Sequence, residues 1–125
     1  MDSKVFMIEE QLIYKQREKG FVSRILAYTP ELMMIECTYF RPGFIIPFHE
    51  HIHVQLSYVV EGSVNVTFAD GTEKKCLAGD AIAFASSEAH SMETTSRKTV
   101  LINVFNPMMA EQLDSHKNIK QPTAQ

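Results

Sequence analysis
The chain has 125 residues, 45% of them hydrophobic and 22% charged. That is enough for one hydrophobic core and too apolar for a disordered chain. Its 12 Lys and Arg against 15 Asp and Glu leave a net charge of −3, with the basic residues scattered, so a nucleic-acid surface is excluded.

Apolar runs such as Phe44 to Phe48 fall far short of the roughly 20 residues of a membrane-spanning helix. Met1 to Glu10 contains no apolar leader stretch, so a cytoplasmic setting is expected. Cys37 and Cys76 stand at no metal or redox spacing and are expected to be reduced core thiols.

The first 20 residues are charge-rich; after Gly20 the apolar period becomes two. From Leu32 to Phe40, Met33, Ile35, Cys37 and Tyr39 share one face, with Glu36 and Thr38 on the other. Pro42-Gly43 reads as a turn. Val64, Val66 and Phe68 alternate with Asn65 and Thr67, and Asp70-Gly71 predicts a two-residue hairpin turn of type I′. Thr72 to Leu77 is the return strand, and Gly79-Asp80 the next turn. Ala81 to Ala85, His90 to Thr95 and Thr99 to Phe105 are further strands, with a loop at Ser86 to Glu88. Short strands at this spacing predict an all-β sandwich or barrel. Met108 to Leu113 is expected to form one short helix, and 117–125 a flexible tail.

Four of the five histidines fall in the strand region. On one strand, His49, His51 and Gln55 would share a face, and in a small barrel that face is the lumen. Two imidazoles and an amide oxygen form three sides of a coordination sphere, and His90 is the candidate fourth ligand. Imidazoles suit Zn, Ni, Fe, Mn or Cu, and positions left open beside four protein ligands would admit water or a small-molecule substrate.

This pattern resembles the cupin family. The first cupin motif runs Gly, five residues, His-x-His, three or four residues, Glu or Gln, six residues, Gly; Gly43, His49, His51, Gln55 and Gly62 fill it. The second begins with Gly-Asp and ends in a His eleven residues after the Gly, as Gly79-Asp80 and His90 do. Ala85, Ser87 and Glu93 stand where the family usually has Pro, Gly and Asn. The resemblance implies a single RmlC-like domain over 1–125. Its double-stranded β-helix, or jelly-roll barrel, would span about 20–113, hold a divalent Ni, Zn, Mn or Fe ion and pair as a homodimer.

The run from His49 to Gly62 and that from Leu101 to Pro107 are most similar to the pectin-degradation-type cupins. These convert 4,5-unsaturated monouronates to a linear ketone. Their C-terminal strand carries Asp-x-Phe and a following Arg, for proton transfer and for gripping the carboxylate. This chain has Asn103, Phe105 and Met109 there. An Asn cannot take up a proton at neutral pH, and a Met cannot replace a guanidinium fork. The expectation is therefore a metal site on His49, His51, Gln55 and His90, with Asn103 and Phe105 as neighbouring catalytic or substrate-contact groups. The activity expected is Lewis-acid lyase, isomerase or ring-opening chemistry on a sugar-acid-like metabolite, within carbohydrate metabolism. A non-catalytic ligand-binding or sensory cupin and a metal-dependent dioxygenase are the alternatives. Arg24 and Arg41 are the remaining candidates for an anion contact, and His53 for a surface or supporting role.

Overall fold
The computed structural model describes residues 15–49 and 52–109. They form ten strands: β1 (Lys15–Glu18), β2 (Phe21–Tyr28), β3 (Met33–Tyr39), β4 (Ile45–His49), β5 (Val54–Glu61), β6 (Ser63–Phe68), β7 (Glu73–Leu77), β8 (Ala81–Phe84), β9 (His90–Thr94) and β10 (Thr99–Asn106). β1-β2-β3-β10-β5-β8 make a six-stranded sheet and β4-β9-β6-β7 a four-stranded one, with every pairing antiparallel. This is the expected all-β jelly-roll.

Side-chain alternation decides what each sheet buries. In β3, Met33, Ile35, Cys37 and Tyr39 face the core, as their spacing predicts. β10 turns Leu101, Asn103 and Phe105 inward, and β5 turns Gln55, Ser57 and Val59 inward. From the other sheet come Val64, Val66 and Met92. Each fully buried Val or Leu contributes about 1.5–3 kcal/mol. Phe21, Tyr39 and Phe44 pack as a three-ring cluster with centroids 4.6–5.6 Å apart. The Pro42-Gly43 turn beside it is tied to β9: Thr94 Oγ1 accepts from the Phe44 amide and donates to the Arg41 carbonyl.

The Asp70-Gly71 hairpin forms with a different turn. Gly71 has positive φ and Asp70 does not, so type I′ is excluded. Gly71 N–H donates to the Phe68 carbonyl, and Phe68 N–H to that of Thr72. This is the three-residue loop in which a helical-type turn is followed by a left-handed glycine. The Asp70 carboxylate accepts the Thr72 amide at 2.8 Å, a bond that holds its pKa below the usual carboxylate range.

A second correction concerns the histidines. His49 ends β4, in the four-stranded sheet, whereas Gln55 lies in β5 of the six-stranded sheet, after a bend at Ile52 and His53. They do not share one strand, so a common parity is not what relates them; the chain turns from one sheet to the other between them. Met108 and Met109 have no regular structure, and the rest of the expected helix lies outside the described residues, as does the expected tail. Both cysteines are unbridged and buried, and burial pushes the Cys76 thiol pKa up. No helix among the described residues is long and apolar enough to cross a membrane.

Candidate metal site
Gln55 sits inside the barrel, 3% exposed, in the middle of a row across the six-stranded sheet. Its partner on β10 is Phe105 and its partner on β8 is Phe84, so the row reads Phe105, Gln55, Phe84. Directly paired residues project from the same face of a sheet, and all three are buried.

His90 opens β9 in the opposite sheet and is wholly buried. Its ring stacks on that of Phe84, with centroids 3.8 Å apart and planes 16° from parallel. Its Nδ1 lies 2.9 Å from the Glu88 carbonyl, which can only accept, so Nδ1 carries the proton. That tautomer puts the ring lone pair on Nε2. A histidine ligand is held in this way when its second nitrogen donates to a carbonyl.

The loop before His90 is built to hold it. Glu88 accepts the Ala85 amide on Oε1 at 2.9 Å, and its own amide donates to the Ala85 carbonyl. A Pro at 85, the residue usual in the family, has no N–H for the first of these bonds. Ser87 adopts φ 61°, in the left-handed region, the conformation that a Gly takes at lower cost. Ser86 Oγ donates to the Ile52 carbonyl at 2.7 Å and fastens this loop to the bend between β4 and β5.

The pairing of β4 with β9 sets His49 opposite His90. His51 lies outside the described residues. Among the described residues, no group of three or more His, Cys, Asp or Glu comes together. The structure thus brings Gln55 and His90 into one interior and places the His49 backbone at the register position facing His90. The three imidazoles of this donor set fit a borderline divalent ion such as Ni, Zn or Fe, and the amide oxygen also suits the harder Mn. The locked His90 tautomer fits the same use.

Asn103 is 6% exposed and faces inward from β10, as does Phe105 at 8%. Asn103 Oδ1 accepts from Ser57 Oγ at 2.6 Å and from Gln55 Nε2 at 3.4 Å, and its Nδ2 donates to Cys37 Sγ at 3.6 Å. His53 is half-buried, edge-on to Phe105 with ring centroids 6.5 Å apart. Met109 is buried in the core cluster. Neither candidate arginine enters the lumen. Arg24 pairs with Glu36 at 3.0 Å on the outer face of the six-stranded sheet, where register sets the two opposite. Arg41 is exposed and lies over the Phe44 ring at 4.7 Å.

Phe84, Ser57, Cys37 and Glu88 are the residues of this site that the sequence pattern does not single out. Ser57 was accessible by parity, since it stands two after Gln55 on an inward-facing strand. The Phe84 stack and the Glu88 carbonyl depend on how two sheets and a loop meet, which has no local signature.

The chain is similar to known proteins over most of its length. It is 30% identical over 107 residues to the pectin degradation protein KdgF of Dickeya dadantii (strain 3937), covering 85% of this chain and 96% of that one. The structure of KdgF from a Halomonas species superposes with a TM-score of 0.82 at 26% identity, covering 90% of this chain and 100% of that chain. An RmlC-like cupin from Shewanella frigidimarina NCIMB 400 superposes at 0.79 and 29% identity, over 88% of this chain and 96% of that one. Bacillus subtilis oxalate decarboxylase, described with Mn(II) centres, shares the fold at TM-score 0.73 and 22% identity, over 90% of this chain and 32% of that one. Residues 38–105 match the Cupin domain model, a span running from inside β3 to inside β10 and enclosing both histidine motifs. On fold, motif order and family match together, this chain belongs to the cupin family.

Proposed function
We propose that this cupin binds one divalent metal ion through His49, His51, Gln55 and His90 and acts in the cytoplasm on a small, sugar-acid-like metabolite. The single observation that carries this reading is the burial, in one interior, of Gln55 and of a His90 whose tautomer is locked by the Glu88 carbonyl. When bound, the metal supplies Lewis-acid polarisation of a carbonyl or hydroxyl, in the service of lyase, isomerase or ring-opening chemistry. The chain's own residues do the rest. Phe84 and Glu88 hold the His90 ring in plane. Phe105 and Phe84 flank Gln55 in the interior, where apolar walls exclude water from a bound substrate. The likeness to KdgF supports a uronate as the first substrate to try.

Chelator-sensitive loss of the enol-ether absorbance of 4,5-unsaturated galacturonate is the expected result in the presence of added divalent metal. Absence of turnover by protein shown to hold metal overturns the uronate assignment. A second reading, ligand binding without turnover, is favoured by one specific observation. Asn103 spends its amide on Ser57, Gln55 and Cys37, and a buried Met occupies position 109. In that case the uronate binds metal-loaded protein and is recovered unchanged.

We further propose a homodimer, as the family resemblance implies. The outer face of the six-stranded sheet leaves Met34, Leu56, Tyr58 and Val60 exposed, an apolar surface that a second copy would cover. Equilibrium sedimentation at micromolar concentration is expected to give twice the 14.2 kDa chain mass. A monomer under those conditions overturns the assignment.

A further inference from the structure
We infer that Asn103, with Ser57, is a positioning residue that fixes which end of the Gln55 amide faces the metal. The inference rests on the metal site proposed above and goes beyond it, since it concerns a residue that would not itself touch the ion.

A glutamine can present either an acceptor or two donors to its surroundings, and only the oxygen end can ligate a cation. Burial makes the choice consequential: a wrongly turned amide would aim N–H groups at a positive charge in a low-dielectric interior. In this barrel the choice is made by neighbours on β5 and β10. Gln55 Nε2 donates to Ser57 Oγ at 2.9 Å and, toward the same side, to Asn103 Oδ1 at 3.4 Å. Ser57 Oγ, having accepted from Gln55, donates its own proton to Asn103 Oδ1 at 2.6 Å. Asn103 Oδ1 therefore accepts twice. The Asn103 amide is oriented in turn by its other end, where Nδ2 donates to the buried Cys37 thiol at 3.6 Å. With its Nε2 end directed at Ser57 and Asn103, the planar Gln55 amide turns Oε1 away from that chain of bonds.

The four groups lie on three adjacent strands, in the order β3, β10, β5. Register pairs Asn103 with Ser57 on one side and with Ile35, two before Cys37, on the other. All four are buried, at 1–8% exposure, so water does not compete for these bonds. The arrangement also explains how an Asn serves at this position: its role toward Gln55 requires an acceptor oxygen, which Asn and Asp both provide, and no proton transfer.

The test is Ni(II) titration by calorimetry on chelator-stripped wild type, Asn103→Leu, Asn103→Asp, Ser57→Ala and Gln55→Leu. Alongside it, the Gln55 side-chain NH2 signals are followed by NMR in the metal-free proteins. Loss of an outer partner of a ligand is expected to weaken metal binding about 10–100-fold in Asn103→Leu and ~10-fold in Ser57→Ala. Asn103→Asp, which keeps two acceptor oxygens, is expected to restore affinity to near the wild-type value. The Gln55 NH2 signals, protected in the wild type, are expected to lose protection in Asn103→Leu, a readout that needs no metal. In a Gln55→Leu background, Asn103→Leu is expected to add nothing further.

If Asn103→Leu and Ser57→Ala bind Ni(II) as tightly as the wild type while Gln55→Leu does not, the positioning role is overturned and the metal site stands. If Gln55→Leu also binds as the wild type does, Gln55 is not a ligand and the metal assignment itself falls, and this inference with it. Ser57→Ala, which removes one oxygen, keeps the test open should Asn103→Leu fail to fold.

Discussion

Replacing His90 by Leu is expected to lower divalent-metal affinity by more than the ~100-fold that loss of an outer-shell partner can cost, because a ligand itself is removed. His90 is wholly buried, so its imidazole is held in place by protein and not by solvent. Its Nδ1 proton is committed to Glu88, which leaves Nε2 as the ring's donor atom toward the interior. Leu is close in volume, so the structural losses are the stack on Phe84 and the hydrogen bond to the Glu88 carbonyl, each worth about 0.5–1.5 kcal/mol. The variant should therefore fold, and the affinity change can be assigned to the ligand. His53→Gln is the control. His53 sits edge-on to Phe105 at the same end of β5, and its loss is expected to cost no more than ~10-fold. Metal content after exhaustive dialysis, together with calorimetric titration, decides the matter. Full metal retention by His90→Leu would show that the ion is held elsewhere.

The largest expected effect on stability comes from a residue with no side chain. Gly62, the last position of the first histidine motif, joins β5 to β6 at φ +82°. A Cβ there would run into the Lys98 carbonyl oxygen, and would lie 2.7 Å from Thr99 Oγ1 and 2.9 Å from Thr99 Cα. Most of these are backbone atoms of the segment entering β10, which cannot swing aside as a side-chain tip could. Left-handed strain in a non-glycine residue costs about 1–2 kcal/mol. Overpacking a tight site adds about 1–3 kcal/mol. Gly62→Ala is thus expected to destabilise by about 2–5 kcal/mol, a large share of the roughly 5–15 kcal/mol typical of a folded domain. Gly71→Ala separates the two causes. Gly71 has a similar φ of +88°, but nothing lies within 4 Å of its added Cβ, so only the strain should appear. Urea unfolding of the two variants measures the difference. Equal destabilisation would mean that the approach of 98–99 to Gly62 does not limit that position.

These two experiments address the ends of the two motifs, His90 of the second and Gly62 of the first. Gln55 and His90 lie buried in the interior, whereas Gly62 lets the chain leave β5 under the entry to β10. The first motif's spacing is thus partly chemical and partly a matter of chain crossing, and the sequence pattern does not separate them.

Much of the molecule is legible in its residues because β structure writes itself with period two. The inward face of β3 follows from Met33, Ile35, Cys37 and Tyr39, and that of β6 from Val64 and Val66. Tyr58 and Met34 go the other way. Both are exposed on the outer face of the six-stranded sheet, and local alternation does not say which face has a partner layer. The hairpin at Asp70-Gly71 was placed by its dipeptide, but the number of loop residues, and so the turn type, was set by the register of β6 on β7.

The sequence by itself determined the candidate ligands, their order along the chain and the β class, since motif spacing and alternation are local properties. That Gln55 and His90 come to one interior follows from the tertiary structure alone. His49 and Gln55 lie on different sheets, and one interior holds Gln55 and His90 because β4 and β5 diverge at a bend whose angle no pair of neighbouring residues encodes. The same is true of the Phe84 stack and of the bonds linking Gln55, Ser57, Asn103 and Cys37. They join residues up to 66 positions apart, through a register fixed by the packing of whole strands. Asn103 in particular reads from sequence as a weakened acid. Its two neighbouring strands turn it into an acceptor for the Gln55 amide.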